Sequence, residues 1–171
     1  MPLMMPTYVI DKVTYIKAEL LHRMGVRAIL LDVDNTLSKP GSQVPYPGTV
    51  EWVREVRHQG FRLMIISNNF RARVAPFAAQ YGLPFVSFAM KPLPLAYWRA
   101  LHQLCVSRRE AVVVGDQVFT DVLGANLVGI QSILLTPVAR EGGASFRWRR
   151  SMEEKVRRQA RAAGRYIDLK E

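Results

Sequence analysis

Five short apolar runs punctuate the chain: Val26–Asp32 (VRAILLD), Phe61–Ile66 (FRLMII), Pro84–Phe88 (PFVSF), Ala111–Gly115 (AVVVG) and Ile130–Leu135 (IQSILL). Each is shorter than a typical helix and most are rich in β-branched residues, so they read as buried strands. Between them, Gly48–Gln59, Arg71–Tyr81, Leu93–Leu104 and Phe119–Leu127 have helical length and spacing. Gly60, Gly82 and Gly129 fall where helix C-terminal caps are expected. Strand and helix thus alternate four times, which predicts a parallel sheet with helices on both faces. An opening helix, about Asp11–Met24, precedes the first strand, and a basic tail begins near Arg140. The pattern divides the chain into an N-terminal helical segment (1–25) packing on the core, an α/β core (26–139) and a C-terminal tail (140–171) expected to be helical.

The polar residues fall where ligands sit in such sheets, at the carboxyl ends of the strands. The first strand ends in Asp32, Asp34, Asn35 and Thr36, the second in Ser67, Asn68 and Asn69. Met90-Lys91-Pro92 follows the third, and Gly115, Asp116, Thr120 and Asp121 follow the fourth. Residues i and i+2 of a strand share a face, so Asp32 and Asp34 can share a pocket. With Asp116 they suit a hard cation such as Mg²⁺, which takes carboxylates and keeps room for a phosphate oxygen. Ser67 and Lys91 add a hydroxyl and a fixed positive charge, which a transferring phosphoryl group needs around its oxygens. A carboxylate can attack phosphorus and form an aspartyl-phosphate, splitting one hard step into two. A single strand-end carboxylate would equally be a helix cap or a turn, and four such ends in register are what point to a site. Asn69 reads either as a phosphate-loop residue or as the cap of the following helix, with the cap favoured.

Composition narrows the picture in three ways. A length of 171 residues fits one domain, and 49% hydrophobic residues suffice for a core. A net charge of +10 favours acidic partners: phosphates, nucleic acid or an anionic membrane surface. The lone Cys105 allows no intramolecular disulfide and fits a reducing compartment; at the end of an apolar helix it is expected to be packed. His22, His58 and His102 lie outside the strand ends and read as surface or structural, and Trp52 and Trp98 as packing residues of helices. The N-terminal MPLMMPTYVIDK has no basic n-region, and no run approaches the ~20 apolar residues of a membrane span. A cytoplasmic protein, soluble or peripheral on the cytosolic membrane face, is expected.

The four signatures, DxDxT, SNN, KP and GDxxxxD in that order from Asp32 to Asp121, resemble the haloacid dehalogenase (HAD) superfamily of phosphatases. The longer strings LDVDNTL, ISNN and VVVGDQVFTDVLGAN further resemble its YqeG family, of subfamily IIIA, related to phosphatidylglycerophosphate phosphatases. The resemblance implies a three-layer Rossmann-like HAD fold with a five-stranded parallel sheet. It implies that Asp32 is nucleophile and metal ligand, and that Asp34 is general acid, then base, with its carbonyl on the metal. Ser67 and the backbone at Asn68 would bind the phosphoryl group, and Lys91 would stabilise its charge. Asp116 would complete the Mg²⁺ ligands, Asp121 would orient it or ligate directly, and Thr36 would support the loop.

Spacing says something about the substrate. Neither Thr36–Ser67 nor Ser67–Lys91 has room for a cap domain. An open site suits a phosphate carried on something large, such as a phospholipid head group, a protein or a nucleic-acid end. Arg140–Glu171 holds ten Lys or Arg against five Asp or Glu, with Phe146 and Trp148 among them. That mixture suits an anionic membrane surface, with MPLMMP as a second contact; the alternative is a solvated basic helix packing on the domain. Nucleic acid fits less well, since no ladder of aromatics is visible. The leading expectation is a Mg²⁺-dependent phosphomonoesterase acting on phosphatidylglycerophosphate. The rivals are a phosphatase of a soluble metabolite or phosphoprotein, and an RNA- or membrane-binding assembly factor with vestigial catalysis.

Overall fold

A strand covered on both faces has no reason to alternate polar and apolar residues, and the central strands show this. In the computed structural model, which describes residues 2–139 and 143–168 apart from the side chain of Phe146, every residue of β2 (Ala28–Leu31) and β5 (Ala111–Gly115) is buried. Their period of two feeds two separate cores. Ile29, Leu31, Val112 and Val114 join one cluster with Trp52, Val53 and Phe77. Ala28, Leu30, Ala111 and Val113 join another with Tyr97, Leu101 and Ala125 on the opposite face.

The sheet is parallel throughout. It contains β1 (Tyr8–Ile10), β2, β3 (Arg62–Ile66), β4 (Phe85–Val86), β5 and β6 (Gln131–Leu135), in the order β1-β6-β5-β2-β3-β4. The helices are α1 (Ala18–Arg23), α2 (Thr49–His58), α3 (Arg71–Tyr81), α4 (Leu95–Gln103), α5 (Leu123–Val128) and α6 (Ala144–Ala162). Gly82 and Gly129 cap α3 and α5 in the left-handed conformation, as their placement predicted. Only α2 separates β2 from β3, and only α3 separates β3 from β4, so no further domain is inserted over the strand ends.

The sheet has six strands rather than the expected five. The sixth, β1, is three residues long and pairs with β6, too short for a periodicity signal. The helix expected at Asp11–Met24 is reduced to α1 behind a 3₁₀ turn, Val13–Tyr15. The segment after β5 begins as a π-type turn, Val118–Val122, before α5. Within the tail, α6 lays Val156 and Ala160 against Val9, Val118, Val122 and Leu134 in a third cluster. Beyond it the backbone returns to the sheet: the Val9 N–H donates to the Arg165 carbonyl at 2.9 Å, and the Ile167 N–H to the Val9 carbonyl at 3.0 Å. Among the described residues, no helix is long and apolar enough to cross a membrane.

Candidate active site

Parallel strands deliver their carboxyl ends to one edge. Asp32 directly follows β2, Ser67 follows β3, Lys91 lies five residues past β4, and Asp116 directly follows β5. A pocket of about 170 Å³ opens there, lined by Asp32, Asp34, Ser67, Asn68, Asn69 and Lys91, with Gln117 and Thr120 at one side. A larger hollow of about 260 Å³ lies between Asn35–Thr36 and Val138 and contains none of Asp32, Asp34 or Asp116.

Lys91 is the hub. It is buried, and its Nζ donates to Asp32 Oδ1 at 2.8 Å and to Asp121 Oδ1 at 2.6 Å. Burial alone would lower its ammonium, but the two carboxylates, Asp121 first, hold it well above the usual lysine range. The Asn68 side chain clips its backbone in place: Lys91 N–H donates to Asn68 Oδ1 at 2.7 Å, and Asn68 Nδ2 to the Lys91 carbonyl at 3.1 Å. Asp34 is held at both oxygens. Asn69 Nδ2 donates to Oδ2 at 2.7 Å, while Arg73 and the Gly41 N–H each donate to Oδ1 at 3.1 Å.

Asp116 is fully buried. Its Oδ2 accepts from Arg150 at 3.0 Å, and its carbonyl accepts from Arg157 at 2.7 Å. Arg150 also pairs with Glu153 at 3.0 Å, and Glu153 accepts the Val118 N–H at 3.1 Å. The first turns of α6 are thus bound to the loop after β5. Asp121 accepts the Gln117 N–H at 3.2 Å on its second oxygen. It lies so close to Gly115 that a Cβ there would collide with its carboxylate, so the glycine before Asp116 is a steric requirement.

Carboxylate oxygens of Asp32, Asp116 and Asp121 lie within 4.8 Å of one another; Asp116 and Asp121 are buried, and the Asp32 side chain is 11% exposed. Burial, with repulsion from its neighbours, pushes Asp32 up to about 7 despite Lys91. Burial, then repulsion from Asp32 and Asp121, pushes Asp116 up to about 8 despite Arg150. Oδ1 of Asp116 is buried with no hydrogen-bond partner among the described residues. Three crowded carboxylates and one orphaned oxygen fit a divalent cation with oxygen ligands.

Asp32, Asp34, Ser67, Asn68 and Lys91 therefore line one pocket, with Asp116 and Asp121 packed against it. Thr36 is buried behind it, beside the larger hollow, and its hydroxyl has no partner among the described residues. Asn69 corrects the capping expectation: Phe70 occupies the N-cap of α3 without a side-chain bond, and Asn69 turns to Asp34. Arg73 was not foreseen; it lies on the first turn of α3 in a run that reads as an ordinary basic helix. Arg150 carried no sequence signal, because only the tertiary path of α6 brings it to Asp116. Cys105 is exposed rather than packed, at a positive φ of 51° just past α4. Trp52 is in the core and Trp98 on the surface. His22 packs on Phe61 with ring centres 4.9 Å apart, and none of the three histidines lines the pocket.

Comparison with known proteins gives one family. The haloacid dehalogenase-like hydrolase description matches residues 38–129. The chain is 35% identical over 152 residues to the probable phosphatase YqeG of Bacillus subtilis, covering 89% of this chain and 88% of that protein. It is 27% identical over 148 residues to phosphatidylglycerophosphate phosphatase 1, chloroplastic/mitochondrial, of Arabidopsis thaliana, covering 80% of this chain and 42% of that one. Among solved structures, a hydrolase from Streptococcus pneumoniae shares the fold at a TM-score of 0.57 and 12% identity, over 67% of this chain and 95% of that one.

Proposed function

Since the chain belongs to the haloacid dehalogenase-like hydrolase family and is a phosphatase, we propose that it is a Mg²⁺-dependent phosphomonoesterase that works through an aspartyl-phosphate on Asp32. We assign it phosphatidylglycerophosphate as substrate, dephosphorylated to phosphatidylglycerol at the cytosolic face of a membrane. The observation that carries the chemistry is the Lys91 ammonium held between Asp32 and Asp121 at the pocket floor. It supplies a fixed cation beside the attacking oxygen, where charge builds on the phosphoryl group.

In the first step an Asp32 oxygen attacks phosphorus, the bond to the leaving oxygen breaks, and Asp34 gives that oxygen a proton. In the second, Asp34 takes a proton from water, water attacks phosphorus, and the bond to Asp32 breaks. Asn69 and Arg73 orient Asp34 for both transfers, while Ser67 and the Asn68 backbone hold phosphoryl oxygens. Mg²⁺ would be held by Asp32 and Asp116, with the Asp34 carbonyl, and supplies screening between the anionic nucleophile and the anionic substrate. Both Asp121 oxygens are engaged, by Lys91 and by Gln117, which favours an orienting role, whereas the orphaned Oδ1 of Asp116 favours direct ligation.

Two observations support the lipid. Among the described residues no domain closes over the pocket, so a phosphate on a large body can enter, and the relative from Arabidopsis thaliana is named for that substrate. The test is phosphate release from phosphatidylglycerophosphate in mixed micelles, sugar phosphates, nucleotides and a phosphoprotein, each with and without Mg²⁺. The expected result is Mg²⁺-dependent release with the lipid preferred. Preference for a soluble phosphate would overturn the substrate. No release from any of them, with Asp32→Asn behaving as wild type, would overturn the chemistry.

A further inference from the structure

Large apolar side chains left in water need a reason when they cluster. Phe70 is 72% exposed and Phe88 57% exposed, yet their rings stack on each other at 5.6 Å. Both adjoin Asn69, which lines the pocket: Phe70 follows it in the chain, and the Phe88 N–H donates to its carbonyl at 2.8 Å. Met90, also exposed, precedes Lys91. Phe88 and Met90 hold positive φ angles of 48° and 53°, a conformation that costs bulky residues energy. A second pair stands on the side of the pocket lined by Gln117 and Thr120. There Phe119 stacks on Trp148, itself 63% exposed, at 6.0 Å.

Charge accompanies both pairs. Arg71 is exposed beside Phe70, and Arg147 and Arg149, both exposed, flank Trp148. From Val56 to Arg109 the chain has no Asp or Glu at all, so no carboxylate side chain of that stretch opposes an anionic surface near the first pair.

We infer that the two aromatic pairs, Phe70–Phe88 and Phe119–Trp148, with Met90 and the adjoining arginines, form a surface that seats the pocket mouth on an anionic lipid bilayer. The rings and Met90 enter the headgroup boundary while Arg71, Arg147 and Arg149 meet lipid phosphates. This rests on the phospholipid reading of the site for its purpose, and on exposure and charge for its location. The expected membrane contact of the tail thereby narrows to its Arg147–Arg149 end.

The experiment measures binding of the full chain to vesicles that contain no phosphomonoester, so it is independent of turnover. Trp148 is the optical probe, in a Trp98→Phe background that leaves only the buried Trp52 besides. Vesicles of phosphatidylcholine with phosphatidylglycerol are expected to shift its emission to the blue and to co-sediment with the protein. Phosphatidylcholine alone should bind far less, and added salt should weaken binding. Phe70→Ser with Phe88→Ser should weaken partitioning by roughly tenfold or more, with turnover of p-nitrophenyl phosphate retained, which also shows that the variant folds. Leu127→Ser, which removes an exposed leucine near the C-terminal end of α5, should leave binding unchanged. Undiminished binding by the double variant, equal loss with Leu127→Ser, or capture of polyuridylate RNA instead of vesicles would overturn the surface. Binding as expected without hydrolysis of phosphatidylglycerophosphate would overturn the substrate and leave the surface standing.

Discussion

Asp32 is held at a cost to the fold. A pKa raised to about 7 by burial means that the folded chain prefers the neutral acid, so at higher pH the ionised form is carried against its solvation. Asp32→Asn removes that charge and leaves Lys91 paired with Asp121. Its metal-free melting temperature at pH 8 is expected to equal or exceed the wild type, while phosphate release falls by at least about a thousandfold. Calorimetry and a phosphate assay on one preparation check both halves. Arg150 offers a second test. It fixes one oxygen of Asp116 while Glu153 fixes Arg150. Arg150→Gln is expected to raise the Mg²⁺ concentration for half-maximal release by roughly tenfold, in the range of outer-shell changes at metal sites. Arg150→Lys keeps the charge but cannot bridge Asp116 and Glu153, so it should fall between. Asp32, Lys91 and Asp116 were legible because their distance from the strand ends is fixed by the chain itself. Asn69 was not, because a polar residue before a helix looks the same whether it turns to the helix or to a neighbouring strand.

At the scale of elements, the central strands were legible for a physical reason. Burial on both faces turns alternation into solid apolar runs, and β2 and β5 are buried at every residue. Three-residue β1 and the π-type turn after Asp116 escape such reasoning, since neither spans a period. The turn before β5 makes a checkable case of local chemistry. Ser107 and Glu110 close a capping box, with Glu110 accepting from the Ser107 N–H at 2.9 Å and its hydroxyl at 2.8 Å. Those two bonds, with a third from Arg27, hold the Glu110 carboxyl down from 4.5 to about 2. A lowered acid stabilises the fold only while ionised, so its contribution is complete above pH 4.5 and is lost as pH falls toward 2. Glu110→Gln should therefore melt below the wild type at neutral pH, with the gap closing across that window. A gap that persists at pH 2 would mean that the carboxylate charge is irrelevant.

At the scale of the whole molecule, the C-terminal tail changes meaning. Its basic composition suits a membrane contact or a solvated helix, and nine of the nineteen residues of α6 are charged. Composition hides that Glu153 and Arg157 are among its buried residues. Arg157 donates to the carbonyls of Asp116 at 2.7 Å and Leu135 at 3.0 Å, tying the ends of β5 and β6 to the helix. Val156 and Ala160 close the third cluster, and the chain beyond α6 pairs with β1. A detachable membrane arm and a structural wall make opposite predictions for a chain ending at Ala139. Loss of an arm would spare turnover of a soluble phosphomonoester and reduce only turnover at a vesicle. Loss of a wall opens Val9, Val118 and Leu134 to water, at about 1.5–3 kcal/mol for each large side chain, and leaves the Asp116 loop without Arg150, Glu153 and Arg157. The truncated chain is therefore expected to lose its cooperative melt or much of its melting temperature, and to lose Mg²⁺-dependent release of phosphate from p-nitrophenyl phosphate. Circular dichroism and that assay decide it: a wild-type melt with full soluble turnover would return the helix to the status of an arm.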